Sequence, residues 1–332
     1  MTFQTLKQQF HTGQVSKPDF ISLALQQHHQ TLFDYVAVTR STDVREIHIS
    51  AAGVRFCIAD PGQGDAAQAA AGVWLHCPPD EARVAPIEVM NFDHYEPDET
   101  RVMDLLAAGA RQILDVGANI GWYAVRFAQR QPLAQVHAFE PMPTAYAYLQ
   151  RNVAANGVAG RVATYNHGLS SSSGAVNFFI SPKRGTNASL LNVAGAQDAR
   201  SVVGLTLTLD DWVANHGIAP DFIKCDVEGA ELLVMRGGGQ TLARHKPVIF
   251  AELLRKWSLP FGYHPNDMLA YLADLGYRCW AVGPAGVRRI EQVTDDTVET
   301  NYAFLHGQAH VAQIALMAQL NTPQQGAGHG AR

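Results

Sequence analysis

The chain contains few cysteines. Four occur in 332 residues, at positions 57, 77, 225 and 279, and no two of them form a C-x-x-C pair. This spacing indicates neither a zinc cluster nor a disulfide framework. Reduced thiols are the usual state of cysteine in a cytoplasmic protein, so we expect a cytoplasmic location.

Long apolar runs are also missing. No run approaches the roughly 20 residues that a membrane helix needs. The first fourteen residues, MTFQTLKQQFHTGQ, are polar throughout and lack the apolar centre of a secretory signal. The sequence therefore predicts a soluble protein with no membrane span.

An excess of positive charge is absent as well. The chain has 25 basic and 30 acidic residues, which gives a formal net charge of -5. Nucleic-acid-binding proteins usually present a basic face, so we expect no nucleic-acid partner. The oligomeric state cannot be predicted from the sequence.

Metal-binding motifs are lacking too. The sequence contains no H-E-x-x-H, no D-x-D and no Cys/His pair at zinc-ligand spacing. We predict no metal cofactor; the alternative is Mg²⁺ held by several acidic residues for a catechol-like acceptor.

The first hundred residues form a separate region of short elements. Ser16, Pro18 and Asp19 predict the start of a helix over residues 16–36. Alternating apolar residues between 47 and 58 predict a two-stranded hairpin. Further short apolar segments at 73–76 and 87–90 favour a small, mostly β accessory region.

From about residue 101, short apolar runs alternate with helical periodicity, which is typical of βαβ units on a parallel sheet. The predicted strands are 112–116, 135–139, 162–166, 221–225, 248–251, 277–282 and 302–305. Residues 170–192 are polar and contain glycine, so a hairpin with a loop is expected there. The polar tail NTPQQGAGHGAR predicts disorder at the C-terminus.

A glycine turn follows the first of these strands. In ILDVGANIG, residues 113–121, the spacing is D-x-G-x-x-x-G, which fits neither the dinucleotide fingerprint nor the P-loop. Asp115 would repel pyrophosphate, whereas it suits the cationic sulfonium and ammonium groups of S-adenosylmethionine. Gly117 and Gly121 would let the backbone approach this ligand, and Asn119 is either a ligand contact or a turn residue.

Glu140 follows the next strand, about 20 residues after the turn. A carboxylate at this place in an open α/β sheet can accept both ribose hydroxyls of a nucleoside. The sequence therefore predicts a cleft bracketed by two acids and occupied by S-adenosylmethionine.

Five motifs occur in an order that resembles FkbM-type S-adenosylmethionine-dependent methyltransferases. They are YEPDE (95–99), DVGANIG (115–121), FEPMP (139–143), TLDDW (208–212) and IKCDVEGAE (223–231). The similarity covers about residues 90–285, and the first 85 residues show none. Cys225 departs from the pattern, where an aliphatic residue is expected.

The resemblance implies a fold, a domain division and an activity. The fold would be a class I methyltransferase Rossmann-like α/β sheet, mostly parallel with seven strands and helices on both faces, plus a small α+β N-terminal extension. The divisions would be 1–90 for the accessory region, 91–308 for the S-adenosylmethionine-binding domain, and 309–332 for a C-terminal helix and tail. The activity would be O-methylation of a hydroxyl on a sugar, glycan or secondary metabolite.

The resemblance also places the transferred methyl group and the acceptor near Asp226. A base that removes the hydroxyl proton is expected to assist the transfer, and the candidates are Asp226, His94 and His167. The residues expected to contact the cofactor are Asp115, Gly117, Asn119, Gly121, Glu140 and Asp226.

Residues expected to contact the acceptor are Tyr95, Glu96, Asn187, Glu228 and Glu252. For Glu228, and for the nearby Glu231, the alternative is that the carboxylate stabilises a helix N-terminus. For Tyr95 and Glu96, the alternative is a loop leading into a helix. In TLDDW, a capping box is preferred to a catalytic role for Asp210 and Asp211.

Two other functions remain as alternatives. An NAD(P)-dependent oxidoreductase uses a similar sheet but requires a glycine spacing that this chain lacks. A catalytically silent S-adenosylmethionine-binding module would keep the fold and the cofactor site without turnover.

Overall fold

A computed structural model describes residues 1–60, 72–180, 188–191 and 200–320. Two predictions fall outside these ranges. They are the acceptor contact of Asn187 and the disorder of the tail after residue 320.

The N-terminal part combines helices with one small sheet. Its elements are α1 (Phe3–His11), α2 (Lys17–Ala24), a π-helical turn (Leu25–His29), α3 (Gln30–Ser41), the strands β1 (Val44–Ser50), β2 (Gly53–Ile58) and β3 (Val73–His76), α4 (Ala85–Phe92) and α5 (Pro97–Leu106). The three strands form an antiparallel sheet in the order β1-β2-β3. The predicted hairpin is present, and Ser16 caps α2 by accepting a hydrogen bond from the Asp19 N–H.

The prediction that this region is mostly β is wrong. Residues 87–90 lie inside α4, which begins next to Pro86. A short apolar run cannot be assigned to helix or strand by periodicity alone, and a proline in the first turn favours a helix. The described N-terminal residues are therefore mainly helical.

The remainder of the chain alternates strands and helices. The strands are β4 (Gln112–Val116), β5 (Gln135–Phe139), β6 (Val162–Tyr165), β7 (Gly168–Leu169), β8 (Gly174–Ile180), β9 (Ala188–Ser189), β10 (Arg200–Leu207), β11 (Phe222–Cys225), β12 (Val248–Glu252), β13 (Tyr277–Gly283), β14 (Gly286–Ile290) and β15 (Asn301–His306). The helices are α6 (Trp122–Arg130), α7 (Pro143–Ala155), α8 (Leu209–His216), α9 (Glu231–Arg236), α10 (Gly239–His245), α11 (Arg255–Ser258), α12 (Pro265–Asp274) and α13 (Val311–Leu320).

The central sheet has eight strands within the described residues, in the order β14-β13-β15-β12-β11-β4-β5-β6. The five strands from β12 to β6 are parallel, and β15 runs antiparallel between β12 and β13. All seven predicted strands are present, and β14 adds an eighth as a hairpin with β13. The structure confirms the Rossmann-like sheet of class I methyltransferases.

A second sheet follows the third parallel strand, in the order β7-β10-β8-β9. Its main pairing is antiparallel, between β8 and β10. The predicted hairpin in this stretch is thus formed by β8 with β9 and β10.

The N-terminal extension shares a hydrophobic core with one face of the central sheet. Val44, Phe56 and Leu75 from the extension belong to the same buried cluster as Ile113 and Phe127. A buried ion pair lies at this boundary: the Arg126 side chain, 0% exposed, contacts Asp60 and Asp104. Packing and charge together attach the extension to the sheet.

No helix in the described part of the chain is long and apolar enough to cross a membrane.

Candidate active site

A cavity of about 440 Å³ opens at the carboxyl ends of β4, β5, β11 and β12. Open α/β sheets bind ligands at this edge, and the volume falls within the usual range of roughly 300–1,000 Å³ for small-molecule sites. Eight residues between Arg83 and Glu96, at the junction of the N-terminal extension and the methyltransferase domain, form one wall, and Leu169, Phe178 and Leu190 of the second sheet form another. Three parts of the chain therefore enclose one site.

The glycine turn after β4 forms part of the cavity floor. Gly117 has φ +80°, and a Cβ atom at this position would lie 1.8 Å from the carbonyl oxygen of Asp226. Its N–H donates to the Phe139 carbonyl at 3.1 Å. Glycine is required here because the turn lies against the chain that follows β11.

Gly121 has a different role from the one predicted. It has φ +96°, and a Cβ atom there would meet Leu149 of α7 at 2.7 Å. Gly121 is not among the residues that line the cavity. The structure thus assigns this glycine to packing between the turn and α7 rather than to approach of a ligand.

Glu140 lies where the sequence predicted it, at the end of β5 and in the cavity wall. Its Oε2 accepts a hydrogen bond from the Asn119 N–H at 2.9 Å, and its Oε1 accepts one from the Met142 N–H at 2.9 Å. Burial raises the pKa of Glu140 to about 7, against the lowering effect of these two bonds. Asn119 also lines the cavity, with a left-handed backbone at φ +48°.

Asp226 follows β11 and lines the cavity with a side chain that is 34% exposed. The Lys224 Nζ atom lies 3.4 Å from its Oδ2. The same ammonium group lies 3.6 Å from Asp115 Oδ1 and donates to the Gly117 carbonyl at 3.1 Å. Lys224 thus connects two predicted site residues with the glycine turn.

Asp115 does not line the cavity, which corrects the predicted direct contact with the ligand. The residue is fully buried and precedes the end of β4 by one position. It pairs in register with Lys224 on the neighbouring parallel strand. Burial raises the pKa of Asp115, and the Lys224 ammonium, 3.6 Å from its Oδ1, opposes this rise.

Further carboxylates face the same cavity, namely Glu96, Glu228 and Glu252. The Tyr123 hydroxyl donates to Glu96, and burial raises the pKa of this glutamate to about 7. Burial and repulsion by Asp226 and Glu96 raise the pKa of Glu252 well above its usual range. With Tyr95 also in the wall, four of the five residues predicted to contact the acceptor lie around one space.

The two histidine candidates are less well placed than Asp226. His94 lines the cavity, but its Nδ1 lies 2.7 Å from Asp43 Oδ2, and this hydrogen bond raises its pKa. His167 lies outside the cavity lining and packs against the rings of Phe139 and Tyr165. Its placement corrects the prediction of a catalytic role for His167.

Two acidic motifs have structural roles, as the alternative interpretations proposed. Glu231 Oε1 accepts hydrogen bonds from the N–H groups of Val227 and Gly229. In TLDDW, Thr208 caps α8 by accepting from the Asp211 N–H, and Asp210 accepts two N–H bonds at the start of α10. These acids hold the loops around the cavity in place.

No group of three or more His, Cys, Asp or Glu side chains among the described residues is arranged to hold a metal ion.

Lys224 is the main site residue that sequence reasoning missed. The signal was present, because β11 is buried at all four positions and a lysine in such a strand needs a partner. The neighbouring Asp115 in register is that partner. Tyr123 was also missed, since its position on the buried face of α6 indicated only packing.

The fold and the site together define the class of the protein. A Rossmann-like sheet carries at its carboxyl edge a glycine turn, a buried glutamate after the second strand and an aspartate after the fourth. The carboxylates suit a cationic nucleoside, and Glu140 lies at the end of the second strand, where the sequence predicts a contact with ribose hydroxyls. This is the arrangement of class I methyltransferases.

Comparisons with known proteins identify the family. Residues 115–279 match the family described as the methyltransferase FkbM domain. The hexuronic acid methyltransferase AglP of Haloferax volcanii is 33% identical over 180 residues, which cover 53% of this chain and 68% of that protein. The chain therefore belongs to the FkbM methyltransferase family, and its cofactor is S-adenosylmethionine.

Other relatives are similar over shorter stretches. The 2-O-methyltransferase NoeI of Sinorhizobium fredii is 32% identical over 159 residues, which cover 43% of this chain and 64% of that protein. The crystal structure of methyltransferase FkbM from Methylobacillus flagellatus aligns with a TM-score of 0.39 and 19% identity, over 59% of this chain and 43% of that one.

Proposed function

We propose that the chain transfers the methyl group of S-adenosylmethionine to a hydroxyl oxygen of a sugar, a glycan or a secondary metabolite. The observation that carries the proposal is the partly exposed carboxylate of Asp226 in a cavity that Glu96, Glu140, Glu228 and Glu252 also line. Relatives named hexuronic acid methyltransferase, 2-O-methyltransferase and 31-O-demethyl-FK506 methyltransferase support an oxygen acceptor.

Glu140, Asn119 and the Gly117 turn would hold the cofactor. The Glu140 oxygens already accept backbone N–H bonds, which fix the carboxylate in the wall, and each oxygen keeps a lone pair for a ribose hydroxyl. The acids of the cavity attract the positive charge that the cofactor carries. When bound, the cofactor supplies an electrophilic methyl carbon on a sulfonium sulfur.

Asp226 would accept the proton of the acceptor hydroxyl. The carboxylate would take up this proton as the hydroxyl oxygen is methylated, and no acidic side chain would be needed for the leaving thioether. Such a base contributes about 10² to 10⁴ in rate. The walls from the extension and the second sheet would align the reactants and exclude water.

The acceptor would lie between Asp226 and the wall formed by Tyr95, Glu96, Glu228 and Glu252. Carboxylates are acceptors for the hydroxyl groups of a sugar, and a carboxyl group that is protonated also donates. The raised pKa values of Glu96 and Glu252 support such a mixture of donors and acceptors in one wall.

We also propose that the protein acts in the cytoplasm and that its partner is the acceptor, not a nucleic acid. The four cysteines are free thiols in the structure, which supports a reducing compartment. The formal charge of -5 supports the absence of a nucleic-acid partner.

The test is a methyl-transfer assay with Asp226→Asn. We expect calorimetry to detect binding of S-adenosylhomocysteine and not of NAD(P). Incubation with S-adenosylmethionine and a panel of sugars should give a product heavier by one methylene group. The variant should keep cofactor binding and lose about 10² to 10⁴ in turnover.

The matched control is Asp274→Asn, which removes an exposed aspartate at the end of α12. Binding of NAD(P) in place of S-adenosylhomocysteine would contradict the proposal. A methylated nitrogen or carbon in the product would contradict the oxygen acceptor, and full activity of Asp226→Asn would remove Asp226 as the base.

A further inference from the structure

Lys224 is a cation buried in the middle of the site. Its side chain is 7% exposed, and its ammonium group lies between the carboxylates of Asp226 at 3.4 Å and Asp115 at 3.6 Å. The third neighbour is the Gly117 carbonyl at 3.1 Å, and the Tyr123 ring centroid lies 5.3 Å away. A buried charge is tolerated only when it is paired and hydrogen-bonded, and Lys224 meets both conditions.

These contacts keep Lys224 charged. Burial alone would lower its pKa, but attraction to Asp226 and Asp115 outweighs burial and raises the pKa above its usual value. The group is therefore a fixed positive charge and not a candidate proton acceptor.

Asp226 lies close to several other acidic groups. Those that face it are Asp115 on β4, Glu96 before α5, Glu228 and Glu231 after β11, and Glu252 on β12, together with the Tyr95 hydroxyl. Lys224 is the cation in contact with Asp226 among the described residues. Without it, the carboxylate would face these groups alone.

We propose that Lys224 is the positioning residue for Asp226: it holds the carboxylate by its Oδ2 atom and offsets the negative charge of the surrounding acids, so that the carboxylate can accept a proton. This inference rests on the proposed role of Asp226 as the base. The parallel register that aligns Lys224 with Asp115 fixes the ammonium from the other side.

The primary experiment needs no acceptor. Aspartate labelled with ¹³C at the carboxyl carbon is incorporated, and the resonance of Asp226 is assigned by its loss in Asp226→Asn. In Lys224→Met the titration midpoint of Asp226 should rise by about 1 to 3 pH units, because an opposite charge at this distance lowers a carboxyl pKa by that amount. Lys224→Arg, which keeps the charge, should give a smaller rise.

Two further variants make the result specific. Lys256→Met removes another lysine of the cavity lining, whose side chain is exposed, and should shift the midpoint much less because solvent screens it. Asp115→Asn removes a repelling acid and a competitor for Lys224, so it should move the midpoint in the opposite direction, to lower pH. This variant also tests the idea if Lys224→Met fails to fold.

The kinetic experiment follows the acid limb of kcat/KM against pH. Lys224→Met should shift this limb upward by the same amount as the NMR midpoint, with recovery of rate at high pH, and the shift should persist in a Glu96→Gln background. An unchanged midpoint, or equal shifts in Lys224→Met and Lys256→Met, overturns the proposal. A shifted midpoint with no transfer to any hydroxyl would keep the role of Lys224 and reject the proposed function.

Discussion

At the scale of single residues, the site depends on a contact between two backbone segments. The turn at Gly117 leaves no room for a methyl group, since the Asp226 carbonyl oxygen would lie 1.8 Å from it. Asp226 can therefore occupy its position only because residue 117 has no side chain. The same turn also carries the carbonyl to which Lys224 donates.

Gly117→Ala is expected to displace Asp226 and to lower turnover by about 100-fold, which is the typical effect of a displacement near 1 Å. Gly157→Ala is the matched control, because Gly157 also has positive φ, +68°, but no atom lies within 4 Å of the added Cβ. Gly157→Ala should lower the free energy of unfolding only by the backbone strain of about 1–2 kcal/mol. Thermal unfolding and the transfer assay measure both variants, and equal effects of the two substitutions would contradict the argument.

The site residues that sequence could predict are those that follow a strand. Glu140 and Asp226 come directly after β5 and β11, so strand boundaries alone place them at the ligand edge. Asp115 lies inside its strand. The partner of its side chain depends on which residue of the neighbouring strand stands beside it. The pairing with Lys224 is a matter of register between segments 109 residues apart, which local pattern does not contain.

At the scale of elements, parallel strand ends collect negative charge. The segments that end β11 and β12, and the one before α5, bring Asp226, Glu252 and Glu96 to one cavity. The free protein must hold these carboxyl groups close together before any cationic ligand is bound. Part of its stability is therefore given up for the binding of a positive charge.

Glu252→Gln is expected to stabilise the free protein, and more so at higher pH. Burial and repulsion by Asp226 raise the pKa of Glu252 in the folded protein, so the folded state binds a proton that the unfolded state has released. Its contribution to stability is present below the unfolded pKa, near 4.5, and is lost as pH rises toward the folded pKa.

Differential scanning fluorimetry between pH 5 and pH 8 measures this effect. The gain in Tm from Glu252→Gln should increase with pH across this range. If bound S-adenosylhomocysteine offsets the same repulsion, the gain should be smaller when it is present. Glu291→Gln, at a side chain that is 86% exposed, serves as the control for loss of one distant charge. A gain that is constant or falls with pH would contradict the assignment.

Helices and strands were predictable where their apolar pattern extended over several residues. The seven predicted strands were placed within one or two residues of their observed ends, because they are short, mainly apolar runs between turn or helix signals, and β4, β11 and β15 are almost wholly buried. The helix predicted over residues 16–36 is present as α2, the π-helical turn and most of α3, whereas α1, which buries only Leu6, was not predicted. A helix with so little buried surface leaves a weak apolar pattern.

At the scale of the whole molecule, the extension and the sheet are joined by charge as well as by packing. Arg126 on α6 donates from Nε to Asp60 at 2.6 Å and from Nη1 to Asp104 at 2.8 Å. Asp60 belongs to the extension and its side chain is 2% exposed. A buried acid, Asp60, and a partly exposed one, Asp104, therefore share one buried cation.

Arg126→Met is expected to lower the free energy of unfolding by about 3–5 kcal/mol, because it leaves the Asp60 carboxylate buried without its partner. Arg288→Met removes an Arg–Glu pair of similar geometry, with Glu299, in which the arginine side chain is 47% exposed. Loss of that pair should lower the free energy of unfolding by less than about 1 kcal/mol. Urea unfolding of both variants distinguishes them, and a cost for Arg126→Met as small as that for Arg288→Met would contradict the prediction.

The wall contributed by residues 83–96 lies outside the segment, 115–279, that defines the family. Under the proposed function, the residues that would hold the donor, Gly117, Asn119 and Glu140, lie inside that segment, whereas part of the acceptor wall lies before it. Substitutions in residues 83–96 should therefore change which acceptors are methylated and leave binding of the donor unchanged.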